Sequence, residues 1–426
     1  MQVYKFGGAS VKDADGVRNV ARIVEHYKDQ QLVIVVSAMG KTTNLLEDLT
    51  KAYYNGADVH NYFDQAKRFH TQILDQLFQD KSNRIFNEVA NFFVEIDWII
   101  EEEPQDTYDY LYDQIVSIGE LISSRIIEAY LREAHIHSMW IDARNYIHTD
   151  NNFREGNVDW NKTERSIRSS IPTLLEKNIL VTQGFIGSTS ENFTTTLGRE
   201  GSDYSAAIFA SCLNAEIVTI WKDVPGVLNA DPKWFDATEL IPELSYLDAI
   251  ELTYYGATVI HPKTIKPLQN KGIALAVRSF VDLSNKGTII RTTNTTLPVS
   301  SFIFKVNQVL ISILPKDFSF IVEDNFSHIF NVFAKHRLKI NMMHNSAVSF
   351  SVSVDYDEQN IVSLIKELKK QYDVEFQRDL ELVTIRYHNQ QTIERVLINK
   401  EVIMQLQDNY TCQMLIRSIE DGRLVE

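Results

Sequence analysis

Cysteine is scarce. Cys212 and Cys412 are the two in 426 residues. Both sit in apolar runs, which excludes a disulfide-stapled secreted scaffold and reads as two buried thiols in a reducing compartment. Basic charge is also short: 42 Lys and Arg stand against 57 Asp and Glu, a net −15. Such a balance argues against a nucleic-acid or anionic-membrane surface, so any anionic ligand must be held by locally placed cations. No apolar run is long enough to span a bilayer, and Met1 leads directly into a strand without a signal-peptide pattern. A cytoplasmic protein is expected. The hydrophobic share of 44% and charged share of 23% are ordinary for a globular chain, and the length suggests roughly two to three domains.

Two stretches carry chemistry. Thr194-Thr-Thr-Leu-Gly-Arg-Glu-Gly-Ser-Asp-Tyr-Ser-Ala-Ala207 places three threonines, two glycines, an arginine and an aspartate on one loop, followed at once by an apolar helical run, Tyr204 to Leu213. Backbone N–H groups and a helix N-terminus converging there suit an anion. Ser202 or Asp203 is expected to cap the helix, and Arg199 can fork onto a carboxylate or phosphate. The alternative is a capped helix after a flexible loop, with no ligand. The second stretch, Val3-Tyr-Lys-Phe-Gly-Gly-Ala-Ser-Val11, reads as strand, glycine loop and helix start, with Lys5 where strand meets loop. The lysine precedes the glycines, so this is not a Walker A loop, yet it can set a point charge on a transferring phosphoryl group.

Together these stretches resemble the KFGG-(T/A)-S-V and TTLGR-G-GSDYSA signatures of the amino-acid kinase superfamily, and within it of aspartate kinase. The resemblance runs from residue 1 to about 292. It implies a three-layer α/β/α fold with a mainly parallel central sheet over 1–295, and transfer of the ATP γ-phosphate to L-aspartate with Mg²⁺. It also implies catalytic roles for Lys5 and Asp203. Gly7, Gly8, Ser10 and Gly201 would line the phosphates together with Lys5, while Ser202 would lie on the substrate side. In Ser37-Ala-Met-Gly-Lys-Thr-Thr-Asn44, the family's loop assigns Ser37 to phosphate and Thr43 and Asn44 to substrate. By residue type alone, Asn44 is an N-cap. Ser117-Ile-Gly-Glu-Leu-Ile-Ser-Ser-Arg125 resembles the family helix whose glutamate, here Glu120, meets the substrate's α-ammonium group. Arg199 would hold the substrate's side-chain carboxylate. The Gly184-Phe-Ile-Gly187 turn, with Phe185, would line the pocket, against a plain hairpin as the bland alternative. Lys222-Asp-Val-Pro-Gly-Val-Leu-Asn-Ala-Asp-Pro-Lys233 resembles the nucleotide segment, with Lys222, Asp223, Leu228 and Lys233 around ATP.

Four departures bear on activity. Ala9 replaces threonine, Glu200 stands where glycine is usual and adds negative charge near the anion loop, lysines occupy 222 and 233 in place of threonine and arginine, and Thr258 replaces a phosphate-reaching lysine. Thr258 and Glu200 motivate one alternative, an amino-acid-sensing pseudokinase; the other is a kinase for another acidic amino acid. Residues 58–135 read as nearly continuous helical packing surface with one break at Pro104. Beyond the Leu297–Ser301 linker, a βαββαβ order over 300–379 reads as a ferredoxin-like unit. That unit resembles an ACT domain, with its first strand expected over Val309 to Leu314. Residues 380–426 are expected to form a partial second unit lacking the usual loop. Sheet edges of this kind pair across a two-fold axis, so a homodimer through 300–426 is expected. His344 reads as a structural histidine rather than a metal ligand.

Overall fold

The computed structural model describes residues 1–235, 237–257, 260–293, 299–317, 319–420 and 423–424. They form two compact units. The first comprises residues 1–227, 242–250 and 259–295, and the second 228–241, 251–258 and 296–426.

The first unit follows from buried apolar runs flanked by amphipathic helices. Its elements are β1 (Gln2–Phe6), α1 (Ala14–His26), β2 (Leu32–Val36), α2 (Thr42–Tyr54), α3 (His60–Leu77), α4 (Ile85–Ile100), α5 (Tyr108–Glu133), β3 (Ser138–Trp140), α6 (Trp160–Leu175), β4 (Ile179–Gln183), β5 (Ile186–Ser188), β6 (Thr194–Thr196), α7 (Gly201–Leu213), β7 (Ile217–Lys222), β8 (Glu243–Ser245), α8 (Tyr246–Tyr255, running into the residues grouped with the second unit), α9 (Pro262–Lys271), β9 (Ala274–Ser279) and β10 (Thr288–Arg291). Eight strands order as β3-β4-β2-β1-β7-β9-β10-β8. All pairings are parallel except β9 with β10. Both β2 and β4 are buried along their whole length, as parallel strands covered on two faces must be. One face packs α1 and α5, the other α6, α7 and α9, which is the expected three-layer arrangement. The alternation of β1 sends Tyr4 and Phe6 into the α1–α5 core and Lys5 to the α7 face.

Several boundaries differ from the sequence reading. The helical stretch has two breaks, not one. Besides 101–107, residues 78–84 turn, because Phe78 is extended and Asp80 and Asn83 accept from Ser82 N and Ile85 N in place of helical partners. Helix α2 starts at Thr42, so Asn44 lies inside its first turn and is not the cap. Helix α7 starts at Gly201, so Ser202 and Asp203 lie within its first turn while Glu200 takes the capping position.

The second unit holds β11 (Ser301–Pro315), α10 (Glu323–Lys335), β12 (Ile340–Asn345), β13 (Phe350–Asp355), α11 (Glu358–Leu368), β14 (Tyr372–Arg386), α12 (Gln390–Val396), β15 (Lys400–Gln407) and β16 (Thr411–Glu420). They order as β12-β13-β11-β14-β16-β15. The fifteen-residue strands β11 and β14 pair along their full length, with register shifts between Lys305 and Leu310. Each half belongs to a different ferredoxin-like repeat. Residues 308–315 and 372–380 serve the repeat built on α10 and α11. Residues 301–305 supply a strand to the repeat built on 381–420. Among the described residues the repeat over 381–420 carries one helix, α12, and the start of β11 pairs with its first strand. The units divide at 295/296, and the second also takes in 228–241 and 251–258. Asn229 accepts from Phe302 N through its backbone carbonyl and donates its amide to Ser300 O. Phe235 packs on Phe302 and Phe304, which draws 228–241 into the second unit.

Candidate active site

In an open parallel sheet, ligands bind beyond the carboxyl ends of the strands. Along β4-β2-β1-β7, those ends deliver Gly184-Phe185, Ser37-Ala38, Gly7-Gly8 and Lys222-Asp223 in that spatial order.

Lys5 Nζ lies 2.6 Å from Asp203 Oδ1, with side chains 11% and 5% exposed. The contact is an ion pair without a directed hydrogen bond at Oδ1. A lysine at the end of β1 thus meets a carboxylate in the first turn of α7, where the helix dipole also favours negative charge. Gly7 leaves room beside the ammonium: a Cβ there would sit 3.3 Å from Lys5 Nζ. The glycine turn folds onto the loop after β2 through Gly40 N donating to Gly8 O at 3.0 Å.

Glu120 is buried on α5. Its Oε1 accepts a long hydrogen bond, 3.4 Å, from Ala38 N, and its Oε2 has no hydrogen-bond partner among the described residues. Burial pushes its pKa up to about 8, against the lowering influence of the Ala38 N–H and of Lys5. An orphaned buried carboxylate oxygen is costly unless a ligand cation meets it. Gly119, one residue earlier, permits the approach of the loop after β2: a Cβ there would press on Thr42 and Ala38 at 3.1 and 3.2 Å.

The turn after β4 locks against α7. A Cβ on Gly184 would fall 2.5 Å from Ser202 Cβ, so glycine is required there. Phe185, at φ +71, donates its N–H to Ser205 Oγ at 2.9 Å. Residues 186–188 and 194–196 do pair as the hairpin β5–β6, and Phe185 lies at its base.

The structure therefore brings together Lys5, Gly7, Gly8, the Ser37-Ala38 turn, Glu120, Phe185, Gly201, Ser202 and Asp203. Ser10 is buried, with its hydroxyl donating to Trp221 O at 3.3 Å. Thr43 and Asn44 lie in the first turn of α2, Asn44 exposed. Arg199 is exposed on the loop between β6 and α7, and Asp223 is exposed beyond β7. Leu228 and Lys233 lie in the second unit, Lys233 exposed. Glu200 turns its Oε2 to the backbone N–H of His261 at 2.8 Å, and Thr258 lies outside the described residues. Sequence reasoning missed Asp113 and Gln114 on α5, which grip β6. Their one sequence signal is their place about two helical turns before Glu120 on the same helix.

Residues 1–279 match the family described as Amino acid kinase family. Lysine-sensitive aspartokinase 3 of Escherichia coli (strain K12) is 31% identical over 392 residues, 90% of this chain and 86% of that protein. The chain belongs to the amino acid kinase family and, within it, to the aspartokinases. Among solved structures, E. coli aspartokinase III in complex with lysine and aspartate (T-state) superposes with a TM-score of 0.84 at 29% identity, covering 98% of this chain and 96% of that one. The same E. coli protein with aspartate and ADP (R-state) gives 0.82 at 28% identity, with the same coverage. The chain spans 32% of the longer bifunctional aspartokinase/homoserine dehydrogenase 2 of Arabidopsis thaliana, at 31% identity over 68% of this chain.

Proposed function

We propose that this chain transfers the γ-phosphoryl group of MgATP to the side-chain carboxylate of L-aspartate. The product is 4-phospho-L-aspartate, at the start of lysine, threonine and methionine synthesis. The observation that carries the reading is the buried Lys5–Asp203 pair at the meeting point of the glycine turn and α7. A cation and a helix N-terminus meet there, which supports reading it as the point where phosphoryl charge develops.

In the reaction a carboxylate oxygen of aspartate attacks the γ-phosphorus in line, the bond to the β–γ bridging oxygen breaks, and ADP leaves. The nucleophile is already ionised at neutral pH, so no general base is needed. Catalysis rests on positioning and charge stabilisation. Lys5 and the Gly7-Gly8 amides face the transferring group, with Ser10 and Gly201 framing the turn. Glu120 Oε2 takes the α-ammonium group and Arg199 the side-chain carboxylate, with Thr43, Asn44, Phe185 and Ser202 bounding the pocket. Ser37, Lys222 and Asp223 serve the nucleotide. Mg²⁺ enters with ATP as part of the substrate, held by phosphate oxygens, and offsets triphosphate charge.

The expected assembly is a homodimer through the second unit, with its ferredoxin-like repeats read as ACT units, in the cytoplasm. A coupled ADP-release assay with aspartate, with glutamate and with no acceptor tests the activity. Aspartate-dependent release is expected; release with glutamate alone, or none with aspartate, would overturn it.

A further inference from the structure

One buried carboxylate close to the site has no part in the chemistry above. Asp113 lies on α5 two turns before Glu120 and has no solvent exposure. Its Oδ1 accepts from Thr196 Oγ1 at 2.7 Å, and its Oδ2 accepts from both Thr196 N and Arg154 N at 2.9 Å. The next residue, Gln114, works on the same strand. Its Nε2 donates to Thr194 O at 2.9 Å, and its Oε1 accepts from Thr194 N at 3.2 Å. The two side chains thus do for β6 what a neighbouring strand would do, on the edge that β5 leaves open.

The third partner widens the reach of the clamp. Arg154 belongs to the polar loop before α6 and sits at φ +67, a left-handed conformation that a residue with a side chain adopts at a cost. Its N–H bond to Asp113 and the stacking of its guanidinium over Tyr112 and Tyr108, at 4.5 and 5.5 Å, hold it there. The same loop returns to β6 through Gly156 N donating to Thr196 O at 2.8 Å. It also covers Gly198, where a Cβ would meet Arg154 O and Glu155 Cγ at 3.4 Å. Arg199 is the next residue.

We propose that Asp113 is a positioning residue for the amino-acid substrate: its three hydrogen bonds fix β6 and the 150–157 loop in the one register that presents Arg199 to the pocket. The inference rests on the reading that Arg199 holds aspartate. The bonds converge on acceptor oxygens, so an amide can replace the carboxylate. Its oxygen accepts from the two backbone N–H groups, and its NH₂ donates to a rotated Thr196 hydroxyl.

The experiment measures KM for aspartate and for MgATP in purified Asp113→Ala, Asp113→Asn and Thr196→Val, with melting curves. Asp113→Ala is expected to raise the aspartate KM at least ~10-fold with the MgATP KM within ~2-fold, and Asp113→Asn to restore most of the loss. Thr196→Val, which removes one of the three donors, shifts the aspartate KM in the same direction by less. If Asp113→Ala does not fold, Thr196→Val decides. An unchanged aspartate KM in a folded Asp113→Ala or in Thr196→Val, or equal rises in both KM values, overturns the proposal. An Asn variant as impaired as Ala also overturns it, since charge rather than the hydrogen-bond clamp would be at work. Arg199→Ala separates the two readings. If it leaves the aspartate KM unchanged, the assignment of Arg199 fails. If it raises that KM while the Asp113 variants do not, this inference alone fails.

Discussion

Glu200 Oε2 accepts the backbone N–H of His261 at 2.8 Å, tying the start of α7 to the start of α9. Glu200 itself has φ +54, which explains why glycine is usual at this position of the family's loop. Its charge is engaged with the α9 terminus, where a helix N-terminus welcomes it.

Glu200→Gly follows from that geometry. Relief of the left-handed backbone gains about 1 kcal/mol, and loss of a charge-assisted hydrogen bond costs about 1.5–3 kcal/mol. A small net destabilisation in urea melts is expected, with the ATP KM changed less than ~3-fold. A tenfold gain in ATP affinity would mean the carboxylate opposes the phosphates after all.

The Lys5–Asp203 pair predicts coupled stability and activity. Lys5→Met leaves a buried carboxylate without its cation, a loss of about 3–5 kcal/mol, whereas Lys5→Met with Asp203→Asn recovers much of it. Both variants should lose at least ~100-fold in turnover, roughly 3 kcal/mol of transition-state stabilisation. Full turnover in Lys5→Met, with a normal melting curve, would remove the lysine from the mechanism.

Glu120 sets a pH dependence whose sign is opposite for stability and for binding. Its folded pKa, about 8, exceeds its ordinary 4.5, so between those values the folded state holds a proton that the unfolded state has lost. Stability therefore falls as pH rises through that window. Glu120→Gln lacks the penalty, and its melting temperature should gain on the wild type from pH 5 to pH 8. Aspartate's ammonium needs the ionised form, so the wild-type kcat/KM for aspartate should climb towards pH 8 while the variant stays low and flat. A wild-type profile without that climb would contradict the assigned partner.

Regulation is the fourth expectation. The segment between β11 and α10 contains no glycine, and a backbone without one wraps an amino acid's carboxylate poorly. We expect weak or absent inhibition by lysine or threonine, in contrast to the lysine-sensitive E. coli relative. Titrating each amino acid into the kinase assay checks this, and half-inhibition below millimolar concentration refutes it. Sedimentation tests the dimer separately.

The sequence carried most of the first unit because its signatures are local. Lys5 with Gly7-Gly8, and Arg199 with Gly201-Ser202-Asp203, each lie on one short stretch. What it did not carry depends on distant partners. Asp113 is 83 residues from Thr196, and nothing about a lone aspartate on an apolar helix announces that bond. Asn44 looked like a cap because asparagine caps helices, yet α2 begins two residues earlier. The grouping of 228–241 with the second unit hangs on Asn229, Ser300 and Phe302, whose meeting no local pattern encodes. The same holds for β11, of which the sequence shows only the strand from Val309, because the partner of its first half is Leu382–Arg386.

The sharing of β11 and β14 between both repeats has a kinetic consequence. Neither repeat can open without stripping hydrogen bonds from a strand that the other also uses, so the second unit has a common spine instead of a seam. Native-state amide exchange should find one cooperative opening across residues 301–315 and 372–386, at a free energy common to both repeats. A ligand that braces one repeat would then slow exchange in the other, though it touches none of its residues.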